Sequence, residues 1–347
     1  MVSPTDFVIP PGSLVLVTAA NSYIGAHVVD LLLGMDYKVR GTVRNFHKCR
    51  WLLDYFDNKY GKGAFELVVV EDMAAGGAYI NAIKGVAGVV HVASPTQTAL
   101  DPERVVPIAV NGVLEALNSA MNESNILRFV LTSSSVAVVE PAQAQKSIVT
   151  SDMWNEEAVE QVRAPSPHNQ NRALAVYAAS KVKSEQAMWE WMTNSRPSFT
   201  ANSVIPSFVF GRPVSLIHQG HPSSSRVPIA IYNNDRTEMA AFIDSFPPFF
   251  FVDVEDVARL HVAALLLPDV EGERIFAFAG PFNRNDLVRS IRKLFPGRQL
   301  SEDIPGLATN ESSIMPAGRA IGLLGKLWDK GFTGLDDSLK ANLEEFL

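Results

Sequence analysis

Tyr177 and Lys181, in the run Tyr177-Ala178-Ala179-Ser180-Lys181, stand four residues apart in a stretch patterned as a helix, so both side chains leave one face. A free tyrosine titrates near about 10, and an ammonium beside it favours the phenolate. Such a pair can give a proton to a reacting oxygen or take one from it. The spacing also occurs on many solvated helix faces, so its weight comes from its surroundings. These include Thr132-Ser133-Ser134-Ser135, directly after the apolar run Arg128 to Leu131. Ligands of an open α/β sheet bind beyond the carboxyl ends of its strands. A serine hydroxyl there can steady a carbonyl oxygen as it gains negative charge, although hydroxyls at strand ends also commonly cap local backbone.

The turn Thr18-Ala19-Ala20-Asn21-Ser22-Tyr23-Ile24-Gly25 joins the strand-like run Leu14 to Thr18 to a helical pattern over Tyr23 to Leu33. The first strand-to-helix turn of a doubly wound sheet receives a dinucleotide pyrophosphate on free N–H groups at the positive end of the helix. Thr18, Ala19, Asn21, Ser22, Tyr23 and Ile24 are therefore candidate cofactor contacts; a turn that holds nothing is the plain alternative. Arg44 follows 19 residues after Gly25 at the end of the next strand-like run, and Lys48 comes four later. An acid near that place holds the ribose of NAD, whereas an arginine fork suits the 2′-phosphate of NADP. NADPH is the expected cofactor, with two solvated surface cations as the competing explanation.

Strand-like runs that could support these residues recur at Lys38 to Val43, Phe65 to Val70, Gly88 to Val92 and Arg128 to Thr132, with helical segments between them. This alternation predicts an α/β fold with a doubly wound, Rossmann-type parallel sheet. Pro141 to Asn171 is polar and proline-rich and predicts a surface excursion. A long helix is expected from about Asn171 to Thr193. Arg212 to Pro248 lacks clear periodicity and is expected to form part of a substrate lid, while Ala201 to Ile205 and Arg274 to Phe278 return to the sheet or its neighbour. The expected division is 1–207 with parts of 249–280 as the NADP-binding domain. Residues 208–248 and 281–347 would form a smaller, sequence-discontinuous substrate lobe and lid.

The 347 residues, 47% of them hydrophobic, suffice for one large core or two modest ones. A net charge of -7 leaves no broad basic surface, which excludes nucleic acid as the expected partner. The only cysteine, Cys49, excludes an internal disulfide framework and a multi-cysteine zinc site. Met1 to Pro11 lacks the basic and apolar regions of a signal peptide, and no apolar run approaches the roughly 18 residues of a membrane span. A cytosolic monomer or homodimer acting on a small molecule, with no membrane partner, is expected.

The chain resembles the extended short-chain dehydrogenases/reductases, in the branch of plant dihydroflavonol 4-reductase and, more closely, fungal NADPH-dependent aldehyde (carbonyl) reductases. The resemblance runs from Pro11 to about Phe295. It is carried by Gly12 to Thr18, Val69-Val70-Glu71-Asp72-Met73, His91-Val92-Ala93-Ser94, Phe129 to Ser134 and Val176 to Lys181. It implies that Ser134, or its neighbour Ser133 or Ser135, binds the substrate carbonyl, that Tyr177 donates the proton, and that Lys181 assists it and holds the nicotinamide ribose. Asp72 and Met73 would meet the adenine, Ala93, Ser94 and Pro95 would line the cofactor, and Pro206, Phe208 and Val209 would pass the nicotinamide. The implied reaction is reduction of an aldehyde or ketone. A departure from the family's TGxxGxxG turn is Ala19 and Ser22 at the first two glycine positions. Alanine costs about 1 to 2 kcal/mol where positive φ is required.

Two rivals are an epimerase or dehydratase that retains NAD, which Arg44 disfavours, and a non-catalytic dinucleotide-binding scaffold, which has no use for Tyr177 and Lys181. His218 and His221 lack a third ligand at useful spacing and read as a loop pair. Asp253 and Asp256 precede an apolar helix and read as N-terminal caps. The aromatic run Phe246 to Phe251 fits a pocket wall or core packing equally well.

Overall fold

The computed structural model describes residues 3–95, 101–140, 146–163, 170–235 and 247–347. Phe246 and the parts of the expected excursion and lid at 141–145, 164–169 and 236–246 lie outside the described residues. Among those described, the strands are β1 (Leu14–Val17), β2 (Lys38–Val43), β3 (Phe65–Val69), β4 (Gly88–His91), β5 (Arg128–Thr132), β6 (Ile148–Val149), β7 (Thr200–Pro206), β8 (Phe208–Phe210), β9 (Phe249–Asp253), β10 (Arg274–Ala277), β11 (Gly280–Phe282) and β12 (Ser313–Ile314). The helices of eight or more residues are α1 (Tyr23–Gly34), α2 (Trp51–Tyr60), α3 (Pro102–Met121), α4 (Glu156–Arg163), α5 (Gln170–Ser195), α6 (Val254–Leu266), α7 (Arg284–Leu294), α8 (Ala317–Trp328) and α9 (Leu335–Asn342).

Seven strands form one parallel sheet in the order β10-β7-β5-β4-β1-β2-β3. The expected strands all enter it, with ends shifted by at most a residue. Successive side chains point to opposite faces, and both faces are covered. Val15, Val17, Val90, Val130 and Val204 pack with α1 and α6, whereas Leu16, Val89, Phe129, Leu131 and Ala201 pack with α3 and α5. Near-continuous apolar strands of this kind are what a doubly covered parallel sheet needs. The strand order reverses between β1 and β4, which opens a crevice at their carboxyl ends.

A smaller sheet, β11-β9-β8, and the short pair β12-β6 lie outside the main sheet. Phe249, Phe250 and Phe251 of β9 are buried in a core with Phe210, Phe276, Phe278 and Phe282, so for the described part of the aromatic run packing is the correct explanation. The expected block 281–347 includes α8. Ala320, Leu323 and Leu324 of α8 join the core beneath the main sheet, because an apolar stripe there covers α6 and β10. The excursion before Asn171 also contains α4, whose buried stripe is only Ala158 and Val159 and is too short to stand out as a period. No helix among the described residues is long and apolar enough to cross a membrane.

Candidate active site

β5 ends at Thr132, and the chain continues extended through Ser134 into a tight turn at Ser135–Ala137. α5 lies across this edge. Lys181 is buried and donates from Nζ to the Thr132 carbonyl at 2.9 Å. Its ammonium stands 6.0 Å from the centre of the Tyr177 ring. One helical turn later, Glu185 accepts from the Ser133 hydroxyl at 2.6 Å. Consecutive turns of α5 thus hold the last residue of β5 and the residue after it. The Ser133 hydroxyl is occupied, whereas those of Ser134 and Ser135 have no partner among the described residues, and Ser134 is the more exposed of the two at 9% against 3%.

Two buried histidines back the lysine. His261 Nδ1 lies 2.8 Å from the Val257 carbonyl and so carries the proton, which leaves Nε2, 2.8 Å from Thr132 Oγ1, to accept from that hydroxyl. Burial first, and then the Lys181 ammonium, hold His261 down at about 4 against an opposing pull from the Val257 carbonyl. The same two causes hold His91, at the end of β4, at about 3. Both rings are neutral at pH 7, and no carboxylate among the described residues pairs with Lys181. Its positive charge therefore faces the tyrosine uncompensated.

At the turn after β1, Ala19 adopts φ +49°, the left-handed region that the sequence makes unfavourable there. Ser22 caps α1, its Oγ accepting from Gly25 N at 3.1 Å while its own proton stays free to donate. Gly25 is required, since a Cβ there would collide with the Ala19 carbonyl oxygen. The N–H groups of Tyr23 and Ile24 have no acceptor among the described residues, as expected in a first helical turn. Thr18 is fully buried, and its Oγ1 accepts from Val92 N and Ala93 N, both at 2.9 Å, which bridges β1 to β4 across the crevice. Thr18 thus shapes the site rather than lining it. Asn21 is exposed on the turn.

Arg44 and Lys48 are exposed beyond β2 and form no ion pair among the described residues. Both bear on the buried Cys49 thiol, which burial pushes up and the two cations pull down, so they share one locality. Two unpaired N–H groups at a dipole-positive helix start, a donating hydroxyl and two unneutralised cations fit a diphosphate and a 2′-phosphate. The Asp72 carboxylate accepts from Ala74 N at 2.9 Å, and the Met73 side chain packs against α3 at Gly112. Ala93, Ser94 and Pro95 follow β4 half-buried, and Pro206 closes β7. Phe208 packs on Phe210, Phe249 and Phe282. The Val209 side chain is buried and its N–H is bonded to Ser224 Oγ at 3.1 Å, so it offers a passing ligand no free donor.

A strap at 211–221 crosses the dinucleotide turn. Tyr23 donates to the Gly211 carbonyl at 2.6 Å, and Gln219 donates to the carbonyls of Asn21 and Ser22 at 3.3 and 3.1 Å. His218 stacks on Trp51, with ring centres 4.7 Å apart. On its other side the strap meets α9 and the segment after it through Gly211 N to Asn342 Oδ1, Arg212 to Glu344 and His221 to Glu345. The two histidines thus serve the loop. Asp253 caps α6 and accepts from Ser338, with burial pushing its carboxyl up to about 6. Asp256, read as a second cap, instead pairs with Arg259 at 2.7 Å and accepts from Thr333 N, because one cap suffices for the helix start.

The residues that sequence reasoning passed over are Glu185, His261 and Gln219. Glu185 carried a signal, standing one turn after Lys181 on the same face; the other two did not, since their partners lie far off in sequence.

A family model described as the NAD dependent epimerase/dehydratase family matches residues 15–277. Aldehyde reductase 2 of Sporidiobolus salmonicolor is 36% identical over 96% of both chains. A ketoreductase of Penicillium rubens is 36% identical over 99% of both. The crystal structure of Gre2 from Candida albicans in complex with NADPH superposes with a TM-score of 0.81 at 27% identity, covering 96% of this chain and 98% of that one. With its sheet order, switch-point crevice and match over most of its length, the chain belongs to the NAD-dependent epimerase/dehydratase family, the extended short-chain dehydrogenases/reductases.

Proposed function

We propose that the protein reduces an aldehyde or ketone to the alcohol with NADPH. The observation that carries this is the grouping, at the carboxyl edge of β5, of Tyr177 with a Ser134 hydroxyl and a Lys181 ammonium that have no side-chain partner among the described residues. The aldehyde reductase and ketoreductase relatives, and the neighbour solved with NADPH, support the same reading.

The cofactor would be held by Ala19, Asn21, Ser22, Tyr23 and Ile24 of the turn that buried Thr18 braces, by Arg44 and Lys48 at the 2′-phosphate, and by Asp72 and Met73 and Ala93 to Pro95 along the crevice. Pro206 and Phe208 would border its nicotinamide end. When bound, NADPH supplies the hydride for the carbonyl carbon. Ser134 donates a hydrogen bond to the carbonyl oxygen and steadies the charge that gathers there. Tyr177 gives that oxygen its proton. Lys181, fixed by the Thr132 carbonyl, favours the phenolate left behind. The small sheet with the strap would form the substrate side. We place the protein in the cytosol, as a monomer or homodimer.

The test is purified protein with NADPH and a panel of aldehydes, ketoesters and ketones, following nicotinamide absorbance beside Tyr177→Phe. Turnover that collapses in the variant is expected. NADPH binding without turnover of any carbonyl would favour a scaffold, and copurified NAD an epimerase.

A further inference from the structure

Tyr177, Lys181 and Glu185 follow one another at successive turns of α5, and Glu185 is the only one of the three wholly buried. A carboxylate with no exposure needs strong partners. It has four. Oε2 accepts from Ser133 at 2.6 Å, and Oε1 accepts from Ser203 on β7 at 2.7 Å. Arg274 on β10 grips both oxygens, Nε to Oε1 at 2.8 Å and its second amino group to Oε2 at 3.2 Å. The fourth, Trp189 Nε1, reaches Oε1 at 3.4 Å. The guanidinium is itself held by the carbonyls of Ser151 and Met153 and lies 3.8 Å from the centre of the Trp154 ring.

We infer that Glu185 is a positioning residue for the reduction: its grip on the Ser133 hydroxyl fixes where the next residue, Ser134, presents its own. This rests on the carbonyl-reductase reading above. Ser133 and Ser134 are adjacent on extended backbone, so their side chains leave in opposite senses. Fixing the direction of Ser133 therefore fixes that of Ser134. Nothing else tethers the Ser133 side chain among the described residues. The Arg274 pairing has a second effect. With its charge neutralised bidentately, Glu185 does not draw the Lys181 ammonium one turn away from the Thr132 carbonyl and Tyr177.

The experiment is steady-state kinetics at saturating NADPH on a carbonyl that the wild type reduces, with NADPH affinity by fluorescence and melting temperature measured alongside. Ser133→Ala is expected to lower kcat by roughly 10- to 100-fold, the scale of a small misplacement of a catalytic group. KM and NADPH affinity should stay within about threefold, because neither depends on the serine's direction alone. Ser133→Thr, which keeps the hydroxyl, recovers most of the rate. Glu185→Gln falls at least as far as Ser133→Ala, and the double variant falls no further than Glu185→Gln, since both cut one link. Wild-type kcat in Ser133→Ala, losses that multiply in the double variant, or losses that follow only the folded fraction overturn the inference and leave the proposed function standing. Absence of turnover in the wild type overturns both. Should Glu185→Gln fail to fold, the two Ser133 variants decide.

Discussion

At the dinucleotide turn, Ala19 holds a left-handed backbone and Ser22 caps α1, whereas at the carboxyl edge of β5 the side chains of Lys181, Ser133 and Glu185 are fixed by bonds of 2.6 to 2.9 Å. The turn offers main-chain N–H groups, which every residue but proline carries. It can therefore depart from glycine and keep its path, at the expense of strain at Ala19. The edge offers particular atoms, a phenol, an ammonium and a hydroxyl, whose replacement would remove the proposed chemistry. Tolerance at one region and intolerance at the other follow from which part of the residue touches the ligand.

The sharpest challenge to that contrast is Tyr177→Phe, which removes the hydroxyl proposed as proton donor and leaves the turn untouched. A kcat loss of roughly 100- to 10,000-fold is expected with NADPH affinity unchanged in a fluorescence titration. A variant that keeps wild-type turnover breaks the edge's side of the comparison. Next is Arg44→Ala, at a proposed cofactor contact that does depend on a side chain. It should weaken NADPH by roughly 10- to 100-fold and NADH hardly at all, by the worth of a charge-assisted phosphate contact. Equal losses for both cofactors would return Arg44 to the solvated surface.

Asp253, whose carboxylate raises the Tyr23 phenol further above the value that burial alone gives it, sits behind the turn. Its folded value of about 6 exceeds the unfolded one. Its contribution to stability is therefore fully present below about pH 4 and lost as pH rises through about 6. Asp253→Asn keeps an oxygen for Glu255 N and an amide for Ser338. It should melt higher than wild type at pH 8, by on the order of 1 to 2 kcal/mol, and lose that advantage at pH 4. A pH-independent gap would show that the charge is not the cause. The smallest effect is expected from Ala19→Gly. Relief of about 1 kcal/mol of strain is offset by the unfolded-state freedom of glycine, so melting and NADPH affinity should move little. NADPH bound more than about tenfold tighter would show that strain at Ala19 limits the cradle, and the contrast would need redrawing.

Much of this was legible in the sequence wherever cause and effect lie close together in the chain. The seven strands of the main sheet announced themselves as short apolar runs, and the Tyr177 and Lys181 pair by helical spacing. That the Ser133 hydroxyl is occupied was not legible, because its partner is Glu185, 52 residues beyond Ser133. Arg274 joins that network from 89 residues past Glu185. The place of α8 was hidden for the same reason, since its apolar stripe is satisfied by α6 and not by its neighbours in the chain. The strap at 211–221 has no period to detect, for its shape is set by contacts with residues near both ends of the protein.

That strap reaches the turn through Gln219, which binds the carbonyls of Asn21 and Ser22 and ignores their side chains. For redesign, the surface identity of positions 21 and 22 is thus decoupled from the strap's hold on the turn. A library varying them to change cofactor preference would keep the latch in every non-proline member.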